Sequence, residues 1–269
     1  MQAPRRPKGL LRADAGASRF DLAYFEPSEA LAPFVERYWL THWDLTGRPD
    51  HAQEVLAHPC MHVVVDGDRS GVFGIVTGRF VRVLSGVGRA FGAKFWPGAF
   101  HGFLPGPAAE LADERVPLGE AFGERGLRYE REVLATEDPL ALVALANAFL
   151  EEQRPSVDPE AELARRIVER IAADRDIVRV EDVARDADLA PRRLQRLFHR
   201  YVGATPKWVI QRYRMHEAIE EIESGDAVDF ADLAARLNYC DQAHFTRDFR
   251  RMIGATPAAY LSDLESKRG

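Results

Sequence analysis

The sequence has little cysteine and no long apolar run. Its two cysteines, Cys60 and Cys240, are too few and too far apart for a disulfide framework, which favours a reducing, cytoplasmic setting. No segment approaches the ~18 apolar residues of a membrane-spanning helix. Residues 1–16 lack the ~7–15-residue apolar stretch of a signal peptide, so we expect neither export nor a membrane partner.

Positive charge is also scarce. The 269 residues contain 36 Lys and Arg against 42 Asp and Glu, and residues 160–269 alone contain 19 against 20. Bulk positive charge therefore cannot hold a nucleic acid on this chain. A nucleic-acid partner would have to be bound by cations that are clustered locally.

Common catalytic motifs are missing as well. The chain has no G-x-S-x-G nucleophile turn, no glycine-rich phosphate loop and no H-E-x-x-H zinc motif. We therefore expect that the protein is not an enzyme and needs no cofactor.

What the sequence does contain is an internal repeat in its last third. Leu194–Phe198 followed by Gly203–Pro206 matches Phe245–Phe249 followed by Gly254–Pro257, and the Gly-Ala-Thr-Pro stretch is identical in both copies. The short segments before them, Val183–Arg185 and Leu233–Ala235, match at an offset of 50 residues, which becomes 51 after the turn. A repeat in register indicates two copies of one structural unit.

Each copy has the pattern of a short helix, a tight turn and an amphipathic helix. The short helices are predicted near 180–187 and 230–237, and Asp188 and Asn238 occupy the turns. The amphipathic helices, Pro191–Tyr201 and Asp241–Ile253, are called here the first and second reading helices, since helix, turn and helix is a DNA-reading unit. Each is followed by a glycine suited to a helix end and a Thr-Pro pair suited to a helix start.

The polar faces of the two reading helices carry the predicted DNA-binding side chains, because Arg and Gln suit base edges and Arg and Thr suit phosphates. On the first helix these residues are Arg192, Arg193, Gln195, Arg196, His199 and Arg200. On the second they are Gln242, His244, Thr246, Arg247, Arg250 and Arg251. With four arginines and no acid, the first helix is expected to make the stronger contact. An ordinary helical bundle with solvated arginines is the alternative.

The last ~105 residues resemble the AraC/XylS family of bacterial transcription regulators. This resemblance implies one long helix, Thr205–Ser224, that joins two helix-turn-helix subdomains and holds their reading helices about 34 Å, one DNA turn, apart. It implies promoter DNA and RNA polymerase as partners. It also implies base contacts by the residues Arg192, Gln195, Arg196, Gln242, Ala243, His244, Thr246 and Arg247. The chain departs from the family at Ala190 and Cys240, where a capping serine is common.

The preceding part of the chain predicts a small β-barrel or sandwich with flanking helices, so the fold class is α+β. The predicted domains are 20–153 and 160–264, separated by a proline-containing linker at 154–159. The predicted strands are Glu54–His58, His62–Asp66, Gly71–Val76, Phe80–Leu84 and Val87–Phe95. The predicted helices are Glu29–Tyr38, Pro107–Asp113 and Asp138–Gln153.

Arg37–Trp39, Trp43–Leu45 and Phe91–Gly98 resemble a cupin-like domain that precedes some of these DNA-binding domains. That resemblance implies a domain that senses a small-molecule effector or forms a homodimer. It names no ligand, and the aromatic residues of such a domain are more often core than pocket lining.

A metal site is the main alternative in this domain. Side chains 58, 60 and 62 of an extended strand share one face, which would align His58, Cys60 and His62 as zinc or copper ligands. Pro59 interrupts the strand, and His51 or His101 would have to be the fourth ligand, so we predict no metal site. The alternative functions are a metal-binding cupin-like enzyme fused to a DNA-binding domain, and a scaffold that has lost DNA binding.

Overall fold

The computed structural model describes residues 9–12, 19–224 and 228–268. The prediction that the chain has no export signal concerns residues 1–16, and most of these lie outside the described ranges. Within them, a strand-rich N-terminal part precedes a C-terminal part made of helices. The predicted α+β fold class is confirmed.

The strands of the described residues form two antiparallel sheets. The six-stranded sheet has the order β1-β2-β7-β4-β5-β8, and β3 pairs with β6 in a second, two-stranded sheet. The strands are β1 (Asp21–Phe25), β2 (Val35–Asp44), β3 (His51–Val55), β4 (His62–Val65), β5 (Gly71–Phe73), β6 (Phe80–Leu84), β7 (Val87–Phe95) and β8 (Arg115–Val116).

The long pair β2–β7 shows how the sequence separates the two faces of the larger sheet. Its register places Tyr38 opposite Ala93 and Trp39 opposite Gly92. Because neighbouring side chains on a strand point to opposite faces, Tyr38 is buried in the main core and Trp39 lies on the other face. A Cβ atom at position 92 would lie 2.4 Å from Cζ2 of Trp39, so only glycine fits opposite this indole.

Helices cover the core face of this sheet. They are α1 (Leu118–Phe122), α2 (Glu124–Ala135) and α3 (Pro139–Glu151), preceded by the 3₁₀ turn Ala108–Leu111. The Asp138 side chain caps α3 by accepting from the amide of Ala141, 2.8 Å away. The hydroxyl of buried Tyr38 donates to Oδ1 of Asn147 on α3 at 2.8 Å, which ties the helix to the sheet.

Several predicted elements are confirmed. Phe80–Leu84 and Val87–Phe95 are strands, and Asp138–Gln153 contains α3. The predicted strands Glu54–His58 and Gly71–Val76 end early, at Val55 and Phe73, and the predicted helix Pro107–Asp113 is the 3₁₀ turn Ala108–Leu111. One further prediction is wrong. The predicted helix Glu29–Tyr38 is not formed: turns end at 34 and strand β2 starts at Val35. Its second half instead begins β2, where Val35, Arg37 and Tyr38 pair with residues of β7, and this pairing outweighs local helix propensity.

Seven helices form the described C-terminal part. They are α4 (Pro159–Ala173), α5 (Val180–Asp186), α6 (Pro191–Leu197), α7 (Pro206–Ser224), α8 (Phe230–Arg236), α9 (Gln242–Ile253) and α10 (Pro257–Arg268). Between α6 and α7 the chain continues as one wide, π-type turn, Phe198–Val202. The Asp158 side chain caps α4, so the predicted linker is an irregular segment that ends at a helix start.

Each helix-turn-helix unit has its own core, and each core includes residues of the N-terminal part. Ile75 joins the first core with Phe198 and Val209, while Leu56 joins the second core with Phe245. The two parts of the chain are therefore packed against each other over both units. No helix among the described residues has the length and apolar composition to cross a bilayer.

Candidate nucleic-acid interface

The first unit is formed by α5, a tight turn and α6. Asp188 occupies the turn with φ of 52°, a left-handed conformation that aspartate tolerates better than most residues. Leu194, Leu197 and Phe198 are buried in the unit's core, which turns the opposite face of the helix to the surface. Ala190 precedes the helix without a side-chain cap, as the departure from serine predicts.

All six predicted DNA-binding residues of the first reading helix are exposed: Arg192, Arg193, Gln195, Arg196, His199 and Arg200. Two of the four arginines are engaged within the protein. Arg193 pairs with Glu160 of α4 at 3.0 Å, and Nε of Arg200 donates to Nε2 of His101 at 3.4 Å. Arg192 and Arg196 have no ion-pair partner among the described residues, so their guanidinium groups are available to an anion.

The second unit repeats this construction through α8 and α9. Its turn residue, Asn238, has φ of 60°, close to that of Asp188. Phe245, Phe249 and Met252 are buried, as the amphipathic pattern predicts. The Asp241 carboxylate accepts from the amide of His244 at 2.6 Å and so caps the reading helix that Cys240 cannot cap.

The predicted residues of the second reading helix also lie toward the surface. Gln242, Ala243, Arg247, Arg250 and Arg251 are exposed, whereas His244 and Thr246 are half-buried. The acid on this helix, Asp248, pairs with Arg251 at 3.2 Å. Arg247 and Arg250 lack an ion-pair partner in the described part of the chain. Each reading helix thus presents two arginines that neither pair with an acidic side chain nor donate to His101. The first helix was expected to bind DNA more strongly because it has more arginines, and this difference is smaller in the structure.

Helix α7, called here the linking helix, joins the two units. The hydroxyl of Thr205 accepts from the amide of Trp208 at 3.2 Å, and Thr256 caps α10 in the same way. Gly203 and Gly254, at the ends of the reading helices, have φ of 93° and 88°. The predicted end and start signals of both Gly-Ala-Thr-Pro copies therefore act at equivalent points of the fold.

The linking helix also buries two arginines that reading of the sequence missed. Arg214 donates to the backbone oxygens of Ile171 and Asp174 at 2.6 and 3.0 Å, and pairs with Glu217 at 3.2 Å. It therefore satisfies carbonyl groups at the end of α4. Arg212 reaches the N-terminal part instead. A helical wheel offers a signal for it, since Arg212 follows Trp208 by four residues and lies on the same side of the helix.

The structure separates the three residues of the metal hypothesis. Sγ of Cys60 lies 3.5 Å from Nε2 of His62, but the ring of His58 stacks on His216 of the linking helix with centroids 4.3 Å apart. Of the two histidines considered as a fourth ligand, His101 contacts Arg200. Among the described residues, no three His, Cys, Asp or Glu side chains form a group that could hold a metal ion.

Two family models match the chain. Residues 183–263 match a helix-turn-helix domain, and residues 23–117 match a domain of unknown function, DUF6597. The transcriptional activator NphR of Rhodococcus sp is 25% identical over 205 residues, which are 76% of this chain and 57% of that protein. The probable transcription factor PqrA of Proteus vulgaris is 26% identical over 83 residues, 31% of this chain and 67% of that one. The chain thus spans just over half the length of NphR.

Solved structures give matches of the same kind. The DNA-binding domain of AdpA, solved in complex with a target DNA, is 26% identical, covers 42% of this chain and 97% of its own, and has a TM-score of 0.34. ToxT from Vibrio cholerae O395 is 11% identical, with 91% of this chain and 94% of its own covered and a TM-score of 0.35.

The repeated units and the matched family model define residues 183–263 as a helix-turn-helix domain. The two units of this domain, joined by one linking helix, are of the AraC type.

Proposed function

We propose that this protein regulates transcription by reading two successive major grooves of promoter DNA, one with each reading helix. The observation that carries the proposal is the equivalence of Arg196 and Arg247. They occupy matching positions of the repeat, both are exposed, and neither has an ion-pair partner among the described residues. A bidentate guanidinium at that position can recognise a guanine edge.

Local charge placement supports this proposal despite the near-neutral composition of the domain. Acidic side chains near the units are occupied by cations away from the reading surfaces: Asp182 pairs with Arg185 at 2.6 Å, and Asp232 pairs with Arg236 at 2.9 Å. The cations of the reading helices without an acidic partner among the described residues are Arg192, Arg196, Arg200, Arg247 and Arg250, and Arg200 makes a hydrogen bond to His101. Phosphate attraction is therefore concentrated where base contact is proposed.

The test begins with selection of duplexes from a random DNA library by the full chain, followed by fluorescence anisotropy on the selected duplex. Arg196→Ala and Arg247→Ala should each cost about 1–3 kcal/mol of binding free energy and relax base preference at one position. Arg200→Ala should weaken all sequences alike and lower the salt slope by about 1. Unchanged base preference in both of the first two variants would overturn the placement of the reading helices.

A matched control lies on the first reading helix itself. Arg193 is exposed but its guanidinium is held by Glu160. Arg193→Ala should therefore change base preference less than Arg196→Ala. A second control, Arg128→Ala, removes an exposed ion pair with Glu152 in the N-terminal part and should leave DNA affinity unchanged.

We further propose that the N-terminal domain binds a small-molecule effector. Support comes from a polar cluster on the sheet face opposite the main core, where Glu36 pairs with both Lys94 and Arg37, and Trp39 meets His62. Burial of charged groups costs free energy unless the groups are paired or bind a ligand. A ligand-dependent rise of the unfolding temperature in a screen of small carboxylates tests this proposal.

The AraC-type helix-turn-helix domain supports the remaining proposals about partners. The protein would act in the cytoplasm by binding rather than by catalysis, would contact RNA polymerase at the promoter, and would form a homodimer. Sedimentation velocity of the full chain with and without the selected duplex tests the dimer.

A further inference from the structure

One segment of the N-terminal domain touches both helix-turn-helix units at equivalent points. This segment, Ile75–Arg79, is called here the brace. At its start, Cδ1 of Ile75 lies 3.4 Å from the position a Cβ of Gly203 would take. At its end, Nε of Arg79 lies 2.6 Å from the position a Cβ of Gly254 would take. Gly203 and Gly254 end the two reading helices, so the brace reaches the same point in both copies of the repeat.

Between these two contacts the brace is bound to the linking helix. Nη2 of Arg212 donates to the backbone oxygens of Val76, Thr77 and Gly78 at 3.1, 2.7 and 3.4 Å. Nε1 of Trp208 donates to the same oxygen of Thr77 at 3.3 Å. Three consecutive carbonyl groups are thus gathered on one guanidinium.

Arg212 is fully buried where the brace meets the linking helix. Its side chain is 0% exposed, and its guanidinium carbon lies 4.5 Å above the ring of Trp208. Its Nε and Nη1 atoms have no hydrogen-bond partner in the described part of the chain. A buried cation with few partners costs free energy, so the chain retains it at a cost to stability. Such residues are candidates for fixing one specific geometry.

The brace is also anchored firmly in its own domain. The carboxylate of Asp113 accepts from the amide of Thr77 at 2.7 Å and from its hydroxyl at 2.5 Å. The amide of Asp113 in turn donates to the oxygen of Ile75 at 2.8 Å. Because these three hydrogen bonds fix the brace to its own domain, the brace can transmit the position of the N-terminal domain to the linking helix.

We infer that the brace is a positioning element for DNA recognition: it fixes the separation and relative orientation of the two reading helices and thereby the spacing of the two base-pair groups they select. This inference rests on the proposed reading of two major grooves. Arg212 and Trp208 act through the brace and do not themselves touch DNA. Arg212 and Arg79 belong to neither core, so loss of their contacts with the brace or from it would leave each unit folded while loosening the pair.

The direct test measures the geometry of the pair without DNA. Ala190→Cys places an exposed thiol directly before the first reading helix, and exposed Cys240 lies directly before the second, while Cys60 is buried. Spin labels at 190 and 240 in the full chain should give one narrow distance distribution by pulsed electron paramagnetic resonance. Arg212→Met, which removes the donors and keeps an apolar stem, should broaden it about twofold or shift its mean.

Arg79→Ala is the second variant, because Arg79 is half-exposed and Glu54, with which it pairs, keeps its second ion pair with Arg12. It should broaden the distribution as well, since it removes the contact at Gly254. Arg128→Met, far from the brace, is the control and should leave the distribution unchanged. A distribution as narrow as that of the parent in both Arg212→Met and Arg79→Ala would overturn the inference.

The second measurement uses the selected duplex and a copy with one base pair inserted between the two recognised groups. The parent should lose about tenfold or more in affinity on insertion, whereas Arg212→Met should lose about threefold or less. Equal losses in the two proteins would contradict the inference. If the parent selects no duplex, the proposed function fails, while the distances between spin labels still decide whether the brace fixes the pair.

Discussion

The indole Nε1 of Trp39 donates a hydrogen bond to Nδ1 of His62 at 3.3 Å, and this bond determines the tautomer of the imidazole. With Nδ1 as the acceptor, the single proton of neutral His62 lies on Nε2, which faces Sγ of Cys60 at 3.5 Å. Burial lowers the pKa of His62 to about 3, and the positive charges of Lys94 and Arg37 act in the same direction. His62 is therefore held neutral in the folded protein.

This neutral state predicts a pH-dependent stability. In the unfolded chain His62 has its ordinary pKa near 6.5. In the folded protein it binds a proton only near pH 3. The associated stability is present above about pH 6.5 and is lost as pH falls below it, by about 2 kcal/mol between pH 7 and pH 5. Urea unfolding at both values should show this loss in the parent and a smaller one in His62→Gln.

The control for this prediction is His42→Gln, which removes an exposed imidazole from the same sheet. It should keep the pH dependence of the parent. The same loss in His62→Gln as in the parent would contradict the neutral, buried state of His62.

The C-terminal half was predictable from the sequence because its signals are local. Gly203 and Gly254, the Thr-Pro pairs after them and the apolar positions of each helix lie within a few residues of the elements they specify. Asp188 and Asn238 also lie in the predicted turns, where both take a left-handed conformation. Local rules suffice where each element carries its own start, stop and buried face.

Contacts between distant segments were not predictable in this way. The start of strand β2 is predicted to be helical from its local sequence. Its pairing with β7 joins residues about fifty positions apart, and a local pattern does not reveal such a contact. The ion pair of Arg193 with Glu160 and the hydrogen bond of Arg200 to His101 also join distant segments, so residue spacing in the sequence does not predict them. The sequence thus identified the cations of the reading helices, and only the fold distinguishes the paired ones from the unpaired ones.

The two cysteines should differ sharply in reactivity. Cys60 is buried, and burial raises the pKa of its thiol to about 11, so almost no thiolate is present at neutral pH. Cys240 is exposed. Native protein should therefore release one equivalent of thionitrobenzoate from Ellman's reagent rapidly, and a second only in denaturant. Cys240→Ser should remove the rapid phase, and rapid release of two equivalents from folded protein would show that Cys60 is accessible.

The helix caps of the two units predict opposite effects of two single substitutions. Asp241 caps the second reading helix, so Asp241→Ala should lower the free energy of unfolding by about 1 kcal/mol. Ala190 holds the equivalent place before the first reading helix without a side-chain cap, and its backbone is already extended, with φ −62° and ψ 141°. Ala190→Ser should therefore raise the free energy of unfolding by about 0.5–1 kcal/mol. Urea titration gives both values, and a destabilised Ala190→Ser protein would contradict the assigned helix start.

The two repeat glycines have the same backbone conformation but different neighbours, and alanine should distinguish them. At either position a side chain meets a positive φ, which costs about 1–2 kcal/mol. A Cβ at 203 would also lie 3.0 Å from the backbone oxygen of Ala108, which cannot move without shifting its 3₁₀ turn. The three atoms nearest to a Cβ at 254 all belong to the side chain of Arg79, which is half-exposed and could turn away at the cost of its ion pair with Glu54. Gly203→Ala should therefore lower the unfolding midpoint in urea more than Gly254→Ala, and the order should persist when Arg79 is replaced by alanine. The reverse order would show that the contact of the N-terminal domain with the first unit is looser than its contact with the second.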